Sequence, residues 1–248
     1  MSKRVRKKPL GARRSILGAI LGLLGTFHLS LPALSGTLKQ HAEQISPAAP
    51  RAIDANASDA NASIVPKQKL QTKLAYCQEC HGSSARGFRA YYSMPRLAGQ
   101  QTEYLKNQLQ AFVEHRRKNN IMFNVSRVLS PAMIAALAAQ FQDLNPKPLG
   151  GAPKELVASG KAIFEEGIPD ANIPACSSCH GLEAKGQGPF PRLAGQLFDY
   201  ISEKLTNWAW EKGQDPTDPD TSAIMQPIAR GLTESQIKAV AAYLSELE

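Results

Sequence analysis

Cysteine is scarce in this chain: 248 residues contain four, and none lies outside two short segments. Once those segments claim their sulfurs, nothing remains for a disulfide framework. Strand signals are sparse along the whole length, which leaves no basis for a sheet and points to an all-α fold. Acidic side chains are missing from the first 35 residues, where Lys3, Arg4, Arg6, Lys7, Lys8, Arg13 and Arg14 gather, while beyond them 22 bases face 21 acids. The formal charge of +8 is therefore a property of one end. The body of the chain lacks the basic excess that binding to nucleic acid requires, so no nucleic-acid partner is expected.

What the chain has instead is one pentapeptide written twice, Cys77-Gln78-Glu79-Cys80-His81 and Cys176-Ser177-Ser178-Cys179-His180. A zinc site built from the four thiolates would leave both histidines idle, each in the same place by coincidence. A thioredoxin-like couple needs one CxxC beside a βαβ pattern, and neither copy has strand-rich flanks. CxxCH is the attachment motif of haem c: the thiols add across the two vinyl groups as thioethers, and the adjacent histidine becomes the proximal iron ligand. Two covalently bound haem c groups are expected, on Cys77, Cys80 and His81 and on Cys176, Cys179 and His180. Two motifs in 248 residues favour two domains of roughly a hundred residues each, small enough for the macrocycle to supply much of each core. Haem propionates would carry the nearly neutral body to the acidic side.

The basic start runs into an apolar stretch from Ile16 to Leu34, followed by Ser35 and Gly36. Basic end, apolar run and small residues at Ala33 and Ser35 make the three-part form of an export signal over residues 1–35, cut before Gly36. The other reading is a retained anchor, since the run nearly reaches the length of a membrane-spanning helix; His28, Ser30 and Pro32 count against it. Export to the periplasm follows from either, with membrane association through residues 16–34 if they are kept. Residues 36–66 are rich in Ala, Ser, Asn, Asp and Pro and contain a tandem Asp-Ala-Asn-Ala-Ser, the composition of a tether. A second break, dense in proline and glycine, runs from Asn145 to Pro153 and divides a first domain at 67–147 from a second at 148–248.

Laid over one another, the halves repeat well beyond the motif. Pro95-Arg96-Leu97-Ala98-Gly99-Gln100 is matched 96 residues later by Pro191-Arg192-Leu193-Ala194-Gly195-Gln196. At the same offset Tyr104, Leu109 and Phe112 answer Tyr200, Leu205 and Trp208, a spacing that places them on one helical face. Each half closes with a helix that has a readable start: Ser130 as N-cap with Pro131 in the first turn, and Thr233 with Gln236 as a capping box. Leu156, Gly160, Ile163 and Phe164 mark an amphipathic helix before the second motif, with a small residue for close approach. The stretch Leu70 to Tyr76 plays that part less clearly before the first.

The sixth iron position decides whether a haem carries electrons or binds small molecules. Met122 and Met225 each stand eight residues before the N-cap of the closing helix, a shared register that selects them as axial ligands. Met94 and Met133 lack it and read as core residues, and His115 sits in a polar helix end. Pro95 and Pro191 offer carbonyls to the second ring nitrogen of the proximal histidines, Leu97 and Leu193 pack on the macrocycle, and Gly99 and Gly195 permit a tight turn. Arg96 and Arg192 stand either as propionate partners or as exposed side chains.

CxxCHG, PxLAGQ, YLxxQL (Tyr104-Leu105-Lys106-Asn107-Gln108-Leu109) and a methionine eight residues before the last capped helix together resemble a class I cytochrome c domain. Two in one exported chain resemble the dihaem cytochrome c4 family, over about residues 67–248. The resemblance implies two tandem domains, each around one haem with His/Met ligation. It implies a periplasmic carrier of single electrons from a quinol-oxidising complex towards a terminal oxidase, with those redox proteins as partners and no substrate transformed. The alternatives are the electron-accepting subunit of a periplasmic dehydrogenase and a dihaem peroxidase, the latter needing a displaceable sixth ligand. The sequence departs from the family where His115-Arg116-Arg117 and Trp210-Glu211-Lys212 stand for Gly-x-Arg, in the first helix, which lacks a Gly-x-x-x-aromatic pattern, and in the long segment 36–66.

Overall fold

The computed structural model describes residues 65–211 and 222–248. The export or anchor segment 1–35 and nearly all of the tether at 36–66 lie outside the described residues. Those described form an all-α fold with no strand among them, only three isolated bridges in loops. No single helix among them is long and apolar enough to cross a membrane.

The first half contains α1 (Lys67–His81), α2 (Thr102–Val113), α3 (Asn120–Ser126) and α4 (Pro131–Gln142). Helix α1 carries the first haem motif in its last turns and stops at Gly82, whose φ of 85° no ordinary residue adopts cheaply. Ser130 caps α4 by accepting from Met133 N at 3.2 Å, with Pro131 in the first turn. Helices α1 and α2 both pack on α4, and α3 packs on α2. The core between them holds Leu74, Leu105, Met133, Leu137 and Phe141, with Cys77 and Leu97 at its margin.

The second half contains α5 (Val157–Glu166), α6 (Ser177–His180), α7 (Phe198–Thr206), α8 (Trp208–Glu211), α9 (Ser222–Gly231) and α10 (Glu234–Glu246). Thr233 and Gln236 form the capping box of α10 in both directions, at 3.3 and 2.8 Å. Gly160 of α5 faces α10 so closely that a Cβ there would lie 2.0 Å from the Ala239 carbonyl. The close approach marked by that small residue is therefore between α5 and α10. Phe164, Ile201, Val240 and Leu244 form this core, with Cys176 and Leu193 at its margin, and Ile201, Val240 and Leu244 match Leu105, Leu137 and Phe141 of the first half in register.

The halves differ where backbone chemistry differs. Helix α5 stops at Gly167 (φ 75°), and a turn over Pro169–Ala171 intervenes before the second motif starts its own short helix α6. In the first half one helix runs unbroken into the motif, so the stretch around Leu70 is part of a longer helix than its weak periodicity implies. In α2 the buried side chains are Leu105, Gln108, Ala111 and Phe112. The expected face of Tyr104, Leu109 and Phe112 is turned by about one residue, leaving the first two half-buried. Its counterpart is interrupted at Asn207, a residue whose side chain competes with helical backbone bonds, so Trp208 opens the separate helix α8. His115 adopts φ 58°, the left-handed conformation a glycine would take. In the first half the departure from Gly-x-Arg is thus one of residue type, with the turn kept, whereas Trp210 and Glu211 of the second half lie in helix α8.

Candidate haem sites and the interface between them

Both histidines are oriented by the carbonyl of the proline in PxLAGQ. His81 Nδ1 lies 2.8 Å from the Pro95 oxygen, and His180 Nδ1 lies 3.0 Å from that of Pro191. A carbonyl only accepts, so Nδ1 carries the proton in each ring and Nε2 presents its lone pair. Burial pushes both imidazoles below their usual pKa, and the proline carbonyls only partly offset it. Each ring is neutral, the form that binds metal. His180 Nε2 is buried with no hydrogen-bond partner. An orphaned buried acceptor costs about 1–3 kcal/mol, and coordination to haem iron would remove that cost.

The sulfurs suit thioethers better than thiolates. None of the four is in a disulfide. Burial pushes the Cys176 thiol up to about 11 and raises that of Cys77 as well. A group held protonated by apolar surroundings is a poor zinc ligand and loses nothing by becoming an uncharged thioether. Among the described residues no cluster of three or more His, Cys, Asp or Glu side chains is placed to hold a metal ion.

The loop after each motif is built alike. Ala85 and Ala184, fully buried, take φ of 54° and 53°, and the carbonyl of each accepts two N–H groups, from Leu97 and Ala98 and from Leu193 and Ala194. Gly99 N donates to Phe141 O at 2.8 Å and Gly195 N to Leu244 O at 2.9 Å, which ties PxLAGQ to the closing helix. Leu97 and Leu193, like Cys77 and Cys176, lie at the margins of the two cores. Sequence patterning gave no sign of the left-handed alanines, since alanine is common in every context.

Met122 and Met225 take equivalent stations on short helices. Met122 is half-buried on α3, where Asn119 caps its N–H at 2.9 Å, and α3 packs on α2. Met225 is half-buried on α9, which packs on α7 and α8. Met133 is a core residue at 3% exposure, as its lack of register implies, whereas Met94 is only half-buried, with its backbone bridged to Phe88. His115 is exposed and stacks on Phe123 at 4.5 Å.

The reading of Arg96 and Arg192 as exposed side chains is overturned, since they are 3% and 7% exposed. They lie where the two halves meet. Arg96 donates to Ala98 O, Pro146 O and Asn145 Oδ1, so the proline-rich break is pinned to the first half. Arg192 donates to Ala194 O, and its Nη2 is buried without a partner. Burial and the charge of Arg192 push the Arg96 guanidinium down to about 10. Two like charges and an orphaned donor buried together call for an anion, and a haem propionate fits that need. A second joint lies at Arg117, which donates to Gln108 Oε1 and, across the interface, to Tyr200 Oη, both at 2.8 Å.

The family model described as cytochrome c matches residues 157–248. The chain is 41% identical to cytochrome c-552 of Acidithiobacillus ferridurans, covering 69% of this chain and 73% of that one. It is 36% identical to the thiosulfate dehydrogenase electron acceptor of Thiomonas intermedia (70% and 79%) and 33% identical to cytochrome c4 of Thiocapsa roseopersicina (81% and 96%). Among solved structures, cytochrome c4 of Acidithiobacillus ferrooxidans is similar with a TM-score of 0.59 at 38% identity, over 70% of this chain and 99% of that one.

Proposed function

The chain belongs to the dihaem cytochrome c4 family, electron-carrying c-type cytochromes with two covalently bound haem c groups, and from that premise we propose where and how it acts. It carries single electrons in the periplasm from a quinol-oxidising complex towards a terminal oxidase. One haem is held by Cys77, Cys80, His81 and Met122 in a domain at 67–147, the other by Cys176, Cys179, His180 and Met225 in a domain at 148–248. Residues 1–35 direct export, and 36–66 tether the domains. The observation that carries the assignment of the proximal ligands is the paired Nδ1 to proline carbonyl contact, which leaves each Nε2 free to coordinate, while the shared register before the closing helices supports Met122 and Met225.

When bound, each haem supplies a one-electron Fe(III)/Fe(II) couple. The chain's own residues keep that couple in place. Pro95 and Pro191 fix the ring tautomers and raise ligand basicity. Thioether sulfur from Met122 and Met225 favours ferrous iron and raises the potential. Leu97 and Leu193 limit water at the macrocycle.

A second reading, as the electron acceptor of a periplasmic dehydrogenase, is favoured by the 36% identical relative named a thiosulfate dehydrogenase electron acceptor. Stopped-flow reduction of the oxidised protein by a quinol-oxidising complex and by a thiosulfate-oxidising dehydrogenase separates the two. The first reading predicts fast reduction by the former and slow by the latter; the reverse order selects the second. Amino-terminal sequencing of the mature protein, expected to begin at Gly36, tests the export signal.

A further inference from the structure

The peptide group between Pro95 and Arg96 is engaged on both sides. Its carbonyl accepts from His81 Nδ1 at 2.8 Å, and its N–H donates to Oε1 of Gln196, in the other half, at 2.8 Å. The peptide between Pro191 and Arg192 repeats this with the halves exchanged: its carbonyl accepts from His180 at 3.0 Å, and its N–H donates to Gln100 Oε1 at 2.7 Å. Both carboxamides are buried and fixed at every atom. Gln100 Oε1 also accepts from Gln101 N at 2.9 Å and Gln196 Oε1 from Leu197 N at 3.0 Å. Their Nε2 groups donate back to the Arg192 and Arg96 carbonyls at 3.0 and 3.1 Å. Each glutamine thus pairs with both backbone groups of the residue that follows the histidine's acceptor in the opposite half.

Hydrogen bonds in series polarise one another by about 10–30% per bond. A peptide whose N–H is engaged carries a more negative carbonyl oxygen. A stronger acceptor at Nδ1–H makes the imidazole more basic, and a more basic proximal ligand favours ferric iron. We propose that Gln100 and Gln196 are positioning residues that set, across the interface, the reduction potential of the haem held by the opposite half. Gln196 acts on the haem of His81 and Gln100 on the haem of His180, so docking of the halves and tuning of the irons are one device. This rests on the reading of the two histidines as proximal ligands.

The test is a crossed pair of substitutions in the holoprotein, Gln196→Met and Gln100→Met, with the two potentials resolved by spectroelectrochemistry. Gln196→Met is expected to raise the potential of the His81 haem by a change of about threefold in its ferric over ferrous preference, about 30 mV at 59 mV per tenfold. The His180 haem stays in place, and Gln100→Met does the converse. In the ferrous protein the Nδ1–H resonance of the opposite histidine, and only that one, shifts. Movement of the mutated half's own haem, equal movement of both, or no movement overturns the proposal. If a substitution undoes the docking, seen as a larger hydrodynamic radius, the unmutated holoprotein decides. Scalar coupling through the hydrogen bond from Arg96 nitrogen to the Gln196 side-chain carbonyl carbon is expected, changing on oxidation of the His81 haem; its absence overturns the proposal. Spectra of the unmutated protein identify the proximal ligands beforehand, so a failure of the haem reading is distinguishable from a failure of this relay.

Discussion

Gly160 shows how much one side chain decides. Any Cβ there meets the Ala239 carbonyl and also the Tyr243 Cβ at 2.9 Å, so α5 and α10 touch only because the position is bare. Gly160→Ala should cost about 3 kcal/mol by overpacking, seen as a lower melting temperature of the second half with the first unchanged. At the iron, Met225→Ala should lower the potential of the second haem and let it bind carbon monoxide, while the first haem keeps its spectrum. Cysteines, histidines and prolines were legible in the sequence because their chemistry is tied to local spacing, and Gly160 because a small residue interrupted an apolar face. Gln100 and Gln196 were not, because their partners lie across the interface between the halves and nothing near them in the chain marks it. Arg96 and Arg192 were legible as candidate propionate partners but not as buried side chains at the place where the halves meet, since their own side-chain hydrogen bonds stay within their halves. The left-handed Ala85 and Ala184 were hidden for another reason: their conformation is imposed by buried loop bonds, not by alanine's own preference.

Elements were readable where a cap or a breaker fixed an end. Ser130 and Thr233 start α4 and α10 with side-chain oxygens on the N3 amides. Ser130→Ala should cost about 1 kcal/mol, measured as a lower denaturant midpoint with an unchanged slope. Helix α1 escaped full recognition because its apolar positions are few and the covalent motif forms its last turns. The break at Asn207 escaped because the face that Tyr200, Leu205 and Trp208 form in projection continues smoothly through it, while the backbone does not. The turned face of α2 has a packing cause: Gln108, a polar side chain, is buried because Arg117 donates to it.

At the scale of the whole molecule, two copies of one module are joined by buried polar side chains that both copies supply. Arg117 is the clearest case outside PxLAGQ. Burial pulls its pKa down, Tyr200, Tyr104 and Glu211 more than reverse this, and its guanidinium lies 4.7 Å from the Phe112 ring. Tyr200→Phe leaves Nη2 of Arg117 without that partner and should loosen the joint by about 1–3 kcal/mol, read as a lower midpoint for separation of the halves. The central claim is that each half holds a six-coordinate haem with histidine and methionine ligands and passes electrons without transforming a substrate. The most direct measurement is electron paramagnetic resonance and optical spectroscopy of both haems in the oxidised protein, before and after peroxide or carbon monoxide is added. Two low-spin haems with thioether-to-iron charge transfer and no peroxide turnover are predicted; a high-spin haem or rapid peroxide turnover at either site would contradict the account.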